Sequence, residues 1–231
     1  MLDRHLIATT HPRASSENVI VWQDYRITVL GDRLFRLEQS PSRRFRDAAT
    51  QAVWFRNMPA QAYTAEESKD ALTVTTQSCK LIVKANRTDC RIVLGGKTLA
   101  IDNCANLGGT YRTLDECNGG TFVCPPWRKD EVTHPVDLGN GVCSRNGVAV
   151  YEDAGSLTLG EDGEVKPERG DGTDEYIFAY GDDYRGALRA LYRITGSVPM
   201  IPRFALGNWW SRYYVYTDKE YLRLLNRFDE H

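Results

Sequence analysis

Near residue 185 the hydrophobic period of this chain changes, and that change limits the architectures open to it. From about residue 18 to 185, apolar residues arrive in short runs closed by glycine, aspartate, asparagine or proline. Beyond that point they recur every three to four residues, as on one face of a helix. Val19–Trp22, Tyr25–Leu30 and Leu34–Leu37 form the first runs, with Gly31-Asp32 placed as a hairpin turn between the last two. Ala52–Phe55, Leu72–Thr76, Cys79–Lys84, Arg91–Leu94 and Thr98–Ile101 continue the series, with Gly95-Gly96 marking a second hairpin. Leu72, Val74 and Thr76 share one face and Thr73 and Thr75 the other, which is how a half-buried strand reads. Val148–Tyr151, Leu157–Leu159 and Glu175–Tyr180 complete a set of short strands that predicts an antiparallel sandwich.

Two segments break that pattern. Residues 103–147 are rich in glycine and proline and poor in periodic apolar residues, which predicts a long functional loop anchored by Tyr111, Leu114, Phe122, Val123 and Trp127. After the last strand, Tyr184, Ala187, Leu188, Leu191 and Tyr192 predict an amphipathic helix, with Asp182 and Asp183 at its start and Gly196 just past its end. Pro199 and Pro202 then stiffen a connector into the apolar run Phe204–Trp210, which predicts a strand buried on both faces. Thr217 and Glu220 have capping-box spacing ahead of Tyr221, Leu224, Leu225 and Phe228. A buried strand followed by a helix is half of a βαβ unit, so the sequence reads as stopping at the start of a second domain.

Composition excludes some functions. With 42% hydrophobic and 10% aromatic residues the chain has the material for a packed core. Twenty-nine basic against thirty-one acidic residues give a net charge of -2, so no general basic field is available to hold nucleic acid or an anionic membrane. No apolar run approaches the ~20 residues of a membrane span, and the N-terminus lacks a signal-peptide core. The expectation is a cytoplasmic protein with reduced thiols at its six cysteines. Cys117, Cys124 and His134 match no zinc spacing, and no metal or cofactor is expected.

No self-sufficient catalytic motif is present: the chain contains no HExxH, phosphate loop or GxSxG elbow. Asp115, Asp137, Asp153 and Asp174 stand near glycines, and their default reading is as turn or cap acids. Trp209, Trp210, Tyr213, Tyr214 and Tyr216 with Arg212 form an aromatic cluster. It suits either a sugar platform, where rings stack on C–H faces, or packing against neighbouring structure.

These residues also carry a family resemblance. The segment Pro199 to Tyr213, with Trp209-Trp210-Ser211-Arg212-Tyr213 as its most specific part, resembles the entry into the catalytic barrel of glycoside hydrolase family 31, the α-glucosidase and α-xylosidase family. Asn106-Leu107-Gly108-Gly109-Thr110, Arg112–Asp115, Ser144–Gly147, Phe35–Glu38, Phe45–Asp47 and Thr50-Gln51 resemble parts of that family's N-terminal sandwich. The resemblance implies a galactose-mutarotase-like sandwich over 1–185, a linking helix over 186–198, and the start of an incomplete (β/α)8 barrel over 199–231. A complete barrel alone needs about 250 residues.

The activity implied is that of a retaining α-glycosidase acting on α-glucosides or α-xylosides, through two carboxylates about 5 Å apart. Both would lie on later barrel strands, so no catalytic residue is expected in this chain. What the resemblance leaves here is the accessory part of a sugar pocket, with Asp115, Arg145, Asn146, Trp210, Arg212 and Tyr213 as candidate substrate-binding residues. Asn146 stands where the family pattern has an aspartate, and an amide cannot be a charge-assisted acceptor. The expected partner is an α-linked oligosaccharide. Two other readings stand beside this one: a carbohydrate-binding sandwich complete in itself, and an assembly module that self-associates through its C-terminal aromatic segment.

Overall fold

A computed structural model describes residues 7–108, 121–122, 134–135, 139–167, 171–198, 200–209 and 211–230; the pairs at 121–122 and 134–135 are described by backbone alone. The described chain is mainly antiparallel β, built in layers. In chain order the strands are β1 (Val19–Trp22), β2 (Tyr25–Gly31), β3 (Leu34–Gln39), β4 (Ala49–Thr50), β5 (Thr64–Glu67), β6 (Ala71–Thr75) and β7 (Cys79–Lys84). There follow β8 (Arg91–Leu94), β9 (Lys97–Ala100), β10 (Thr121–Phe122), β11 (His134–Pro135), β12 (Ala149–Glu152), β13 (Thr158–Leu159), β14 (Val165–Lys166) and β15 (Thr173–Phe178). The helices are α1 (Tyr184–Thr195) and α2 (Asp218–Asp229).

One five-stranded sheet has the order β1-β2-β3-β15-β12, and the other is the meander β5-β6-β7-β8-β9. Ile27, Val29, Phe35, Leu37, Val150 and Ile177 of the first sheet pack against Leu72, Val74, Leu81, Val83 and Ile92 of the second. Full burial of such a side chain contributes about 1.5–3 kcal/mol. The meander is wet on its outer face, so β7 alternates buried Cys79, Leu81 and Val83 with more exposed Lys80, Ile82 and Lys84. The first sheet is covered on both faces: Leu30, Leu34, Tyr176 and Phe178 join a second core with Ala187, Ala190, Leu191 and Ile194 of α1. This explains the imperfect alternation of β3, where Leu34 to Glu38 are all buried.

The helix caps behave as the local sequence predicts. The Asp183 side chain accepts from Gly186 N at 2.9 Å, and Gly196 follows the helix at φ 96°. The buried face differs from the expected one, because Tyr184 and Tyr192 are exposed while Ala190 and Ile194 are buried. Small alanines let the helix approach the sheet, and the two tyrosines flank that contact.

Two strand expectations need correction, and one strand forms where the sequence carries no strand signal. Ala52–Phe55 is not a strand; Thr50 N and Val53 O close a turn at 3.0 Å, and Phe55 alone makes a bridge, parallel to His11. Strand β5, Thr-Ala-Glu-Glu, is exposed throughout and has no hydrophobic signal. Its place comes from pairing with β6, and its charges suit an open edge. The predicted buried strand at 204–210 is absent among the described residues. Arg203–Leu206 is a 3-10 turn starting after Pro202, with Ala205 N bonded to Pro202 O at 2.9 Å. Phe204 is 76% and Trp209 71% exposed. A central strand needs partners on both edges, and no described residue pairs with this one.

Residues 1–197 and 198–231 form two compact units. Helix α1 belongs to the first through its buried face. In the second, α2 starts with the predicted capping box: Thr217 Oγ1 accepts from Glu220 N at 3.3 Å, and Glu220 Oε2 accepts from Thr217 N at 2.9 Å. Among the described residues no helix is long and apolar enough to cross a membrane.

Candidate functional site

Two asparagines build a neck that joins residues 103–108 to residues 141–150. Asn103 Nδ2 donates to Val150 O at 2.9 Å, and its Oδ1 accepts from Val150 N at 2.9 Å, so the side chain acts as an extra peptide unit beside β12. Asn106 does the same across the loop, with Nδ2 on Gly141 O and Oδ1 accepting from Gly141 N, each at 2.7 Å. Its Oδ1 also accepts from Gly108 N at 2.7 Å. Backbone bonds from Leu107 N to Cys143 O and from Arg145 N to Ala105 O close the neck further. Both ends of each amide are therefore used.

Arg145 and Asn146 stand on the returning side of this neck. Arg145 is exposed. Asn146 Oδ1 accepts from Ser144 Oγ at 2.6 Å and from Val148 N at 3.1 Å, so its carbonyl oxygen is committed to the local turn. Behind them, Gly147 at φ 91° packs where an added Cβ would lie 2.9 Å from Gly181 Cα. Arg212 and Tyr213 belong to the second unit: Tyr213 is fully exposed, and the Arg212 guanidinium sits 4.4 Å from the centre of the Tyr214 ring. Tyr214 and Tyr216 meet edge to face at 4.7 Å. Asp115 and Trp210 lie outside the described residues, as do Asp137, Cys117, Cys124 and the side chain of His134.

Asp153 and Asp174 are neither surface turn acids nor solvent-facing carboxylates. They lie in a buried network on the outer face of the first sheet. Cross-strand register aligns Arg26, Glu38 and Asp174 in one row and Thr28, Arg36 and Tyr176 in the next. Arg36 bonds Asp174 through Nε–Oδ1 and Nη2–Oδ2, both 2.7 Å. Arg26 reaches Glu38 and Asp47, each at 2.6 Å. Arg46 bridges Asp174 Oδ2 at 2.9 Å and Asp153 O at 2.7 Å. Burial opposes the charge on Asp174, but Arg36 and then Arg56 and Arg46 hold its carboxyl well below the usual carboxylate range. Burial, followed by the Asp174 charge, pushes the Asp153 carboxyl up, although Thr50 Oγ1 donates to it at 2.9 Å. The Arg36, Arg46 and Thr50 segments that carry the family resemblance thus build interior structure.

Fully buried Arg56 supports a surface feature that sequence reasoning missed. Its Nε donates to Tyr176 Oη at 2.6 Å, and its Nη1 to Pro12 O at 3.1 Å and Ala48 O at 2.9 Å. The N-terminal arm is thereby held beside β4, helped by His11 N on Trp54 O and Arg56 N on His11 O. Between this arm and the β13–β14 hairpin runs a cleft of about 530 Å³, with Ala48 and Ala49 lining it. Arg13 and Asp47 also line an adjoining hollow of about 390 Å³ at β1 and β2. Among the described residues no cluster of His, Cys, Asp or Glu could hold a metal ion.

No protein-family model matches the chain, and no curated protein matches it. Among solved structures it is similar to a glycoside hydrolase family 31 dextranase of Flavobacterium johnsoniae, seen in complex with glucose and, as a mutant, with isomaltotriose. In both cases the identity is 15%, the TM-score 0.47, and the match covers 83% of this chain and 27% of the dextranase.

Proposed function

We infer that this chain is the accessory sandwich of a retaining α-glycosidase, presenting a substrate-side loop and contributing no catalytic carboxylate. The observation that carries this reading is the asparagine-clamped neck at residues 103–108 and 139–147. It holds together the two ends of the glycine- and proline-rich stretch that the sequence marks as a functional loop, and Arg145 is exposed beside it. The sequence resemblance of the same segment to a glycosidase loop names the ligand class: an α-linked glucoside or xyloside. An exposed arginine suits such a ligand, since its donors match sugar hydroxyl oxygens.

The test is turnover. The pure 231-residue protein should not hydrolyse an aryl α-glucoside or α-xyloside. A rate proportional to the concentration of this chain, and abolished by substituting one of its own carboxylates, would overturn the reading.

A second reading, a carbohydrate-binding module complete in itself, is favoured by one feature: α1 closes the second core within residues 1–197. Under it, deletion of residues 199–231 leaves folding and sugar binding unchanged. The exposed apolar side chains of Phe204, Trp209, Tyr221, Leu225 and Phe228 support self-association of the whole chain. A light-scattering mass that stays monomeric at all concentrations would exclude it.

A further inference from the structure

The cleft between the N-terminal arm and the β13–β14 hairpin is remote in sequence from the loop neck, and nothing in the readings above uses it. We propose that it is a second ligand site, taking a neutral, extended polyhydroxylated chain, an oligosaccharide. The choice of a sugar rests on the glycosidase reading; the location and the need for neutrality rest on the cleft itself.

Three features argue for a built site. Its 530 Å³ lies within the range of about 300–1,000 Å³ found for ligand pockets. Its walls are also braced from beneath, because one buried guanidinium, Arg56, bonds both the arm at Pro12 and the floor at Ala48. A site held by interior groups needs little ordering when a ligand arrives. The cleft and the adjoining 390 Å³ hollow share Arg13 and Asp47, so the surface suits a ligand several units long rather than a compact one.

The lining chemistry selects the ligand charge. Arg13 and Lys166 are matched by Asp47 and Glu161, with Asn57 and Thr158 adding neutral donors and acceptors. A polyanion would meet Asp47 and Glu161, and a polycation Arg13 and Lys166. A hydroxyl both donates and accepts, so a polyol can satisfy each kind of group in turn. Arg26 fixes the Asp47 carboxylate at 2.6 Å while the Asp47 side chain stays half exposed, leaving an oriented acceptor at the waist of the groove. Among the described residues the only aromatic ring lining the cleft is the His11 imidazole, so the groups that line it offer hydrogen bonds rather than stacking.

Isothermal titration of the full chain with maltoheptaose, and separately with pyrophosphate as a polyanion, tests the proposal. Maltoheptaose should bind, and an Arg13→Ala/Asn57→Ala double variant should weaken it by about tenfold or more. Lys80→Ala, on the outer face of the meander, should leave the binding unchanged. Amide chemical-shift changes in the unmodified chain should cluster at residues 10–13, 48–49 and 158–161, which guards against a misfolded variant. Shifts confined to residues 103–108 and 139–147, or affinity lost with Arg145→Ala alone, would overturn this site and support the loop neck instead. Tighter binding of pyrophosphate than of maltoheptaose would overturn the ligand class. No binding of maltoheptaose at all would overturn the site, whereas the accessory-sandwich reading stands or falls on the turnover assay.

Discussion

Arg36 and Asp174, 138 residues apart, meet through two parallel hydrogen bonds of 2.7 Å in the interior of the first sheet. Bidentate geometry of this kind is the strongest form an arginine–carboxylate pair takes. It joins β3 to β15, the strand that brings the C-terminal part of the sandwich back into the N-terminal sheet. Removing one partner strands a buried charge. Asp174→Asn should therefore cost about 3–5 kcal/mol, read as a lower urea midpoint with an unchanged slope. A cost near zero would show that the pair is not formed in solution.

The same pair sets an acid limit. The Asp174 carboxyl is depressed in the folded state, so its contribution is present above the unfolded value and is lost as pH falls through the lower folded value. Asp153 works in the opposite sense: its raised carboxyl favours the fold below the unfolded value, and that benefit is lost as pH rises through the folded one. Urea midpoints measured between neutrality and strong acid should fall most steeply at the acid end, and Asp174→Asn should flatten that fall. An equally steep acid loss in the variant would assign it to other groups.

At the loop neck, Asn106→Asp keeps the acceptor for Gly141 N and Gly108 N but loses the donor to Gly141 O and Asn103 Oδ1. Opposing oxygens then face each other, and we expect a loss of about 1–3 kcal/mol. Hydrogen exchange should speed up at the Leu107, Gly141 and Arg145 amides while β6 to β8 stay protected. Uniform acceleration would mean the neck unfolds only with the whole sandwich.

Thiol chemistry gives an independent map of burial. Cys79, Cys90 and Cys143 are buried and Cys104 is exposed, all four free. Burial pushes the first three thiols up, and the Asp102 carboxylate pushes Cys104 up. Alkylation at pH 8.5 followed by peptide mapping should modify Cys104 in the native protein and the other three only after denaturation. Native labelling of Cys79 or Cys90 would contradict the packing between the two sheets.

Legibility followed the range of the interactions. The hairpins at Gly31-Asp32 and Gly95-Gly96, the half-wet meander and the caps of α1 and α2 depend on residues a few positions apart, and the sequence alone places them. The run Ala52–Phe55 predicts a strand but is entered by a turn, because an apolar run carries no record of the Thr50 side chain that accepts from Val53 N. Strand β5 escaped notice because its pairing with β6 is tertiary and its own side chains are polar. The continuous apolar run Phe204–Trp210 predicts a buried strand, but such a run states a preference for burial and supplies no partner edge. Arg36 and Glu38, two charges inside an apolar strand, were the available signal of a buried network. Their partners Arg26, Arg46 and Asp174 come from three other segments, and no spacing along the chain reveals them.

The hairpin turns at Gly31-Asp32 and Gly95-Gly96, the alternation of the meander strands, the helix caps and the lack of a complete catalytic motif in the sequence were therefore settled by the amino-acid sequence, because each rests on local residue order, backbone preference or side-chain period. Tertiary structure decided the rest. It showed that the first sheet is covered on both faces and that Arg36, Arg46 and Arg56 serve the interior. It joined residues 103–108 to 141–150 through two asparagine amides and set an N-terminal arm against β4 to form a cleft. These features require groups 35 to 138 residues apart to satisfy one another away from water, where an unpaired polar atom is costly and a paired one fixes position.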